Sequence, residues 1–262
     1  MRSIRLGVIL TLTAVLSFVT FGRQQDPDPN DIPKAKAALE AAVKARGGSA
    51  YLNARTEIGT GQFNQFDKGL STVPVSFGDY IQYPDKERTE FGHKKGKFVQ
   101  ANIASAGWTF DAATKAIKDQ GEEQTKEFVE SMKYSMDGIL RGSWREPKVR
   151  FTYYPRREAW RLKFGEAIKM EFPDNTVITL FLDLDTHLPI LLQREHMVKD
   201  QPQKEETRFA QWVDRGGIMA PNILDTYIEG TQTNRVNYDN RTFNQPIAAN
   251  IFTKPASIKD IK

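Results

Sequence analysis

The chain of 262 residues contains no cysteine. Disulfides, thiolate metal sites and a lipid anchor carried on cysteine are therefore all excluded as encoded. Histidine is nearly as scarce: His93, His187 and His196 are the full set of 3. There is no His-Glu-x-x-His pair, no Gly-x-Ser-x-Gly elbow and no phosphate-binding glycine loop. None of the recognisable nucleophile or metal templates is met, which argues against an enzyme and implies no cofactor. Strong charge of one sign is also missing. The formal net charge is +4, too mild to imply a nucleic-acid partner. The two Arg-Gly-Gly triplets, at 46–48 and 215–217, are too far apart to form an RNA-binding repeat.

What is present begins at the first residues. Met1 to Arg5 carry two arginines, and the run from Leu6 to Phe21 has no charge. That is the plan of a secretory signal. The run is diluted by Thr11, Thr13, Ser17 and Thr20, and it falls short of the ~20 apolar residues of a membrane span. Residues 1–22 are thus expected to be a cleaved signal peptide, leaving no stable membrane anchor. Losing Arg2 and Arg5 takes the charge from +4 to +2. Residues 23–30, rich in Asp and Pro, read as a linker, and 31–258 as one folded domain. At 39% hydrophobic and 11% aromatic, that domain has material for a core.

Asp31 can cap a helix with Pro33 in its first turn. Ala35, Ala38, Leu39, Ala42 and Val43 recur at helical spacing, and Gly47-Gly48 stops the helix. From Arg55 the period becomes two. Strands are expected at 55–66, 72–83, 86–92 and 97–103, separated by polar, glycine-bearing turns. A helix is expected over Glu122–Arg141, with Phe128, Met132, Met136 and Ile139 or Leu140 as its stripe. A second strand series starts near Val149, turns at Pro155–Glu158, and runs to about residue 239. Helix, strands, helix, strands is the order of a mostly β, α+β fold: one large curved antiparallel sheet with a helical layer over one face.

Asp183, Asp185 and His187 alternate, as ligands of a divalent metal can. The same stretch, Asp-Leu-Asp-Thr-His-Leu-Pro, is hairpin-turn chemistry, and that reading is preferred. The basic clusters His93–Lys97 and Arg156-Arg157 fall at expected hairpin tips and read as solvated turns. Periodicity alone is satisfied by a solid helix-on-sheet core. If the space is a cavity, an apolar ligand would lie between the helix carrying Phe128, Met132 and Met136 and the sheet. Trp160, Leu162 and Phe164 would be its inner face, and Trp108 and Phe110 its rim.

Several segments together resemble the LolA-like superfamily of periplasmic lipoprotein carriers. They are Ala41–Gly48 with Tyr51-Leu52, Tyr83–Arg88, Gly107–Phe110, the hairpin Phe181–Pro189, and the tail from Val236 through Pro255. The resemblance spans residues 33–255. It implies an open half-barrel with helices closing the concave face, a periplasmic location, and lipid acyl chains or lipoproteins as partners. Some relatives bind or sense envelope ligands, so the alternative is an envelope protein as partner of a non-catalytic interaction or stress-sensing module. No functional residue is transferred.

Overall fold

The computed structural model describes residues 31–261. The expected signal peptide and linker lie outside the described residues. Helices α1 (Ile32–Ala45) and α2 (Ser49–Leu52) lead into β1 (Thr56–Asp67), β2 (Leu70–Ser71), β3 (Val75–Gln82), β4 (Lys86–Phe91), β5 (Phe98–Ile103), β6 (Ala106–Asp111) and β7 (Ala116–Asp119). Helices α3 (Glu122–Tyr134) and α4 (Met136–Arg141) follow. The second series is β8 (Arg150–Trp160), β9 (Lys163–Glu171), β10 (Val177–Leu182), β11 (Pro189–Val198), β12 (Gln201–Asp214), β13 (Met219–Ile228) and β14 (Thr231–Phe243).

One 14-stranded antiparallel sheet results, ordered β7-β6-β5-β4-β3-β1-β14-β13-β12-β11-β10-β9-β8, with β2 paired to β1. It is curved and does not close. The two meanders join at β1 and β14, where Ile58 faces Thr242. The chain leaves the sheet at one edge, β7, and re-enters it at the other, β8. Helices α3 and α4 make that crossing, which lays them over the concave face as the expected helical layer.

The main core lies under the helices. Ala35, Leu39 and Ala42 of α1 and Ile139 and Leu140 of α4 pack with Ile168, Met170, Ile178 and Leu180 of β9 and β10. Neighbouring strand residues alternate sides. Accordingly Ala167, Phe181 and Leu191 form a separate cluster. The third cluster, Val99, Ala101, Trp108 and Phe110, sits on β5 and β6, where the Trp108 indole donates to the carbonyl of Phe252 at 2.8 Å.

Three local expectations are corrected. Asp31 stands at the start of α1 but makes no side-chain cap; it pairs with Lys34 instead. The expected long helix breaks at Ser135, whose φ of -63° and ψ of 165° are extended. Its Oγ accepts from Gly138 N at 3.0 Å and starts α4. Gly138 is needed there, because a Cβ would lie 2.0 Å from the Met132 carbonyl oxygen. Finally, residues 155–158 do not turn. They continue β8 through register shifts between Tyr154 and Arg157 and between Glu158 and Trp160, an irregularity that accommodates Pro155. The reversal comes at Arg161 and Leu162, with φ of 33° and 65°.

The two Arg-Gly-Gly triplets meet in space. A Cβ on Gly47 would lie 2.2 Å from the carbonyl oxygen of Gly217, and Met219 N donates to Arg46 O at 3.0 Å. The close approach seats the end of α1 against the β12–β13 turn.

Candidate functional site

Between α3–α4 and the inner face of the sheet lies a cavity of about 920 Å³. Its apolar wall includes Phe128, Val129 and Met132 of α3, Ile81 of β3 and Leu224 of β13. Its polar side is an assembly of ionisable groups contributed by β1, β3, β4, β14 and α4.

At one end stands Asp137. Its Oδ1 accepts from the Tyr51 hydroxyl at 2.8 Å and from Arg46 Nη1 at 3.2 Å. Arg46 is fully buried, and its Nε donates to the Met219 carbonyl at 2.9 Å. Arg141 lies over the rings of Tyr83 and Tyr51, 3.7 and 4.6 Å from their centroids. Burial opposes ionisation of Asp137, but Arg46, Arg141 and Arg241 win and hold its carboxyl below the usual range.

In the middle, Glu57 takes the Tyr83 hydroxyl on Oε2 at 2.8 Å and Arg241 Nε on Oε1 at 2.7 Å. Arg241 Nη1 donates to the Pro221 carbonyl at 2.8 Å. Both Glu57 and Arg241 are buried; a pair so placed is tolerable because each end has further partners. At the far end Asp79 and Glu87 face one another. Asp79 accepts from Thr89 Oγ1 at 3.0 Å. Burial, then the charge of Glu57, pushes its carboxyl up to about 7. Burial, then Asp79 and Glu57, raises Glu87 well above the carboxylate range. Two neighbouring carboxyls raised in this way favour a shared proton over two charges. Tyr238 stands over Gly59, where a Cβ would meet its ring at 2.5 Å.

Of the residues singled out in the sequence, Phe128 and Met132 line this cavity. Met136, past the break at Ser135, belongs to the main core, with its sulfur 3.6 Å from Arg46 Nη1. Trp108 and Phe110 lie in the β5–β6 cluster. Trp160 packs against the cluster of Ala167 and Phe181, Leu162 is exposed at the hairpin tip, and Phe164 lies under the Arg156 guanidinium, 4.4 Å away. These three do not share one strand face, because the chain turns between them. Asp183 organises its turn: its Oδ1 accepts from Asp185 N at 3.2 Å and Thr186 N at 3.1 Å. Lys163 and these backbone donors hold its carboxyl down at about 2 against the effect of burial.

The sequence reading missed the ionisable assembly. Arg241 belongs to no motif that marks it as inward-facing. The available signal was phase: Phe77, Asp79 and Ile81 point to one face of β3, so a carboxylate stands in line with inward apolar residues.

No protein-family model and no curated protein matches the chain. Solved structures do match in shape. One is a domain from Vibrio parahaemolyticus described as outer membrane lipoprotein-sorting, with 14% identity, a TM-score of 0.54, and coverage of 84% of this chain and 97% of that one. A LolA superfamily protein from Nitrosomonas europaea has 10% identity and a TM-score of 0.55, with coverage of 84% and 97%. A DUF1329 family protein from Desulfovibrio piger has 12% identity and a TM-score of 0.58, with coverage of 86% and 97%. The chain therefore has a LolA-like fold. Among the described residues no helix is long and apolar enough to cross a membrane.

Proposed function

We propose that this is a non-catalytic, exported protein of the bacterial envelope that binds or carries a lipid or a lipoprotein's acyl chains in the cavity beneath α3 and α4. The observation that carries the reading is the cavity itself. At about 920 Å³ it is of ligand size, and its wall of Phe128, Val129, Met132, Ile81 and Leu224 is suited to an acyl chain. Burying apolar surface there favours association by about 25 cal/mol per Å², before the cost of immobilising the ligand. The methionine adapts to chains of different shape. The charged groups opposite make the site amphiphilic, so the ligand is an amphiphile with its polar head toward them. The signal-like first residues and the likeness to a lipoprotein-sorting domain support a periplasmic setting.

The test is native mass spectrometry of the protein released gently from a bacterial envelope, followed by solvent extraction. A lipid recovered at one per chain is the expected result. Protein that emerges empty, and takes up no fluorescent fatty-acyl probe in solution, would overturn the proposal. A stoichiometric protein partner captured without lipid would point instead to the interaction module.

A further inference from the structure

We infer that the ligand's head carries an anionic group, a carboxylate or a phosphate, bound by Arg141. The inference rests on the cavity being the ligand site, and it adds the chemical class of what enters. At the Asp137 end, two guanidinium groups face one carboxylate. Asp137 Oδ1 is already engaged by Tyr51 and Arg46, and it stands 3.7 Å from Arg141 Nε, beyond hydrogen-bond reach. Arg141 spends Nη1 on the carbonyls of Leu52 and Ala54, at 3.4 and 3.1 Å. Its Nε and Nη2 are buried and have no hydrogen-bond partner among the described residues.

Those two nitrogens are not an arbitrary pair. Nε and Nη2 form the side edge of the guanidinium, and their N–H bonds run parallel. That edge grips a carboxylate or phosphate with two hydrogen bonds at once. The rings of Tyr83 and Tyr51 hold the group in place, so little order is lost when an oxyanion docks. Arg241 does not compete for the role, because Glu57 and the Pro221 carbonyl occupy it. The remaining carboxyls, Asp79 and Glu87, lie beyond the Glu57–Arg241 pair. They offer an anion no cation at that end, which leaves Arg141 as its partner. Phe128, Val129 and Met132 line the same cavity, leaving the chain an apolar wall to follow.

The test compares single-chain amphiphiles of one length: a fatty acid, a lysophosphatidic acid, a neutral monoacylglycerol and an alkylamine. Calorimetry or probe displacement reads their affinities for the full mature chain. The acid or the phosphate, or both, should bind at least about tenfold tighter than the neutral ester, as a charge-assisted pair of hydrogen bonds requires. Their ranking tells carboxylate from phosphate. Arg141→Met should erase the preference; where that variant fails to fold, Arg141→Lys, which keeps the charge but loses the two-pronged edge, should weaken it. Equal affinity for the neutral ester and the anions would overturn the inference and leave the carrier reading standing. Preference for the amine would do the same. Uptake of none of the four would overturn the carrier reading, and this inference with it.

Discussion

Tyr51 and Asp137, 86 positions apart in the chain, are joined by a hydrogen bond of 2.8 Å. The bond ties α2 to the start of α4 and so pins the crossing helices to the amino-terminal segment. Asp137 also neutralises Arg46, which is fully buried. Asp137→Ala would leave that guanidinium without a counter-charge in the core, at a cost of about 3–5 kcal/mol. Tyr51→Phe removes one hydrogen bond to a charged group, about 1.5–3 kcal/mol. Urea unfolding followed by circular dichroism should show the aspartate variant as the weaker of the two. Equal, small losses would mean that Arg46 is solvated in some other way.

The strand series was legible because its signal is local. Alternation and polar turns placed β1, β3, β4 and β5 within a few residues, and the order of helices and strands pointed to a single sheet. The pairing of β1 with β14 was not legible, since nothing in either strand names its partner. Nor was the path of β8, because Pro155 between basic residues is good turn chemistry until register shifts accommodate it. The stripe Phe128, Met132, Met136 assumed one unbroken helix. Ser135 ends that helix with a local side-chain bond, so Phe128 and Met132 stay at the cavity and Met136 goes to the core. The ionisable site was hidden for a different reason. Arg46, Glu57, Asp79, Glu87, Asp137 and Arg241 come from six elements or their ends, and they converge only once the sheet is assembled.

Gly59 is predicted to be intolerant of a side chain. A Cβ there would lie 2.5 Å from Tyr238 Cε1 and 2.9 Å from Cδ1. The ring has little freedom to retreat, being packed edge-on against Phe77 with centroids 5.2 Å apart. Gly59→Ala should cost about 1–3 kcal/mol through overpacking. The same substitution in a Tyr238→Ala background should cost much less, giving a clear coupling energy in a double-mutant cycle. An identical cost in both backgrounds would assign the effect to the backbone of β1 rather than to the ring.

The acid pair predicts how stability depends on pH. The folded-state pKa of Asp79 is pushed up to about 7 by burial and then by Glu57, and that of Glu87 is also raised. A carboxyl with a raised folded pKa binds its proton more tightly in the folded chain than in the unfolded one. Stability should therefore fall as pH rises from about 4, where unfolded carboxyls titrate, through 7. Asp137, held low by its arginines, acts in the opposite sense and in a separate window: its contribution is lost only as pH falls below that range. Glu87→Gln replaces one acid by an uncharged group that still hydrogen-bonds. It should flatten the decline between about pH 4, where unfolded carboxyls titrate, and the Asp79 value of about 7, in urea midpoints taken across that range. A slope identical to the parent's would show that the pair does not share its proton in the folded state.

The last prediction separates the cavity from the hairpin. Met132 lines the cavity, whereas Phe164 lies on the β8–β9 hairpin, beneath Arg156. Met132→Asp places a carboxylate against the apolar wall, where desolvation is unfavourable and an acyl chain would meet a charge. Met132 is only half-buried, so the fold should survive the change. Phe164→Asp sets a carboxylate beside a guanidinium at a half-buried position, which the hairpin should also tolerate. Both variants are expected to keep the far-ultraviolet circular dichroism of the parent. Uptake of a fluorescent fatty-acyl probe should fall at least about tenfold in the first, the equivalent of one buried unpaired polar group, and stay within about twofold in the second. Equal losses in the two would move the ligand out from beneath α3 toward the hairpin, and uptake unchanged in both would leave the apolar wall without a role.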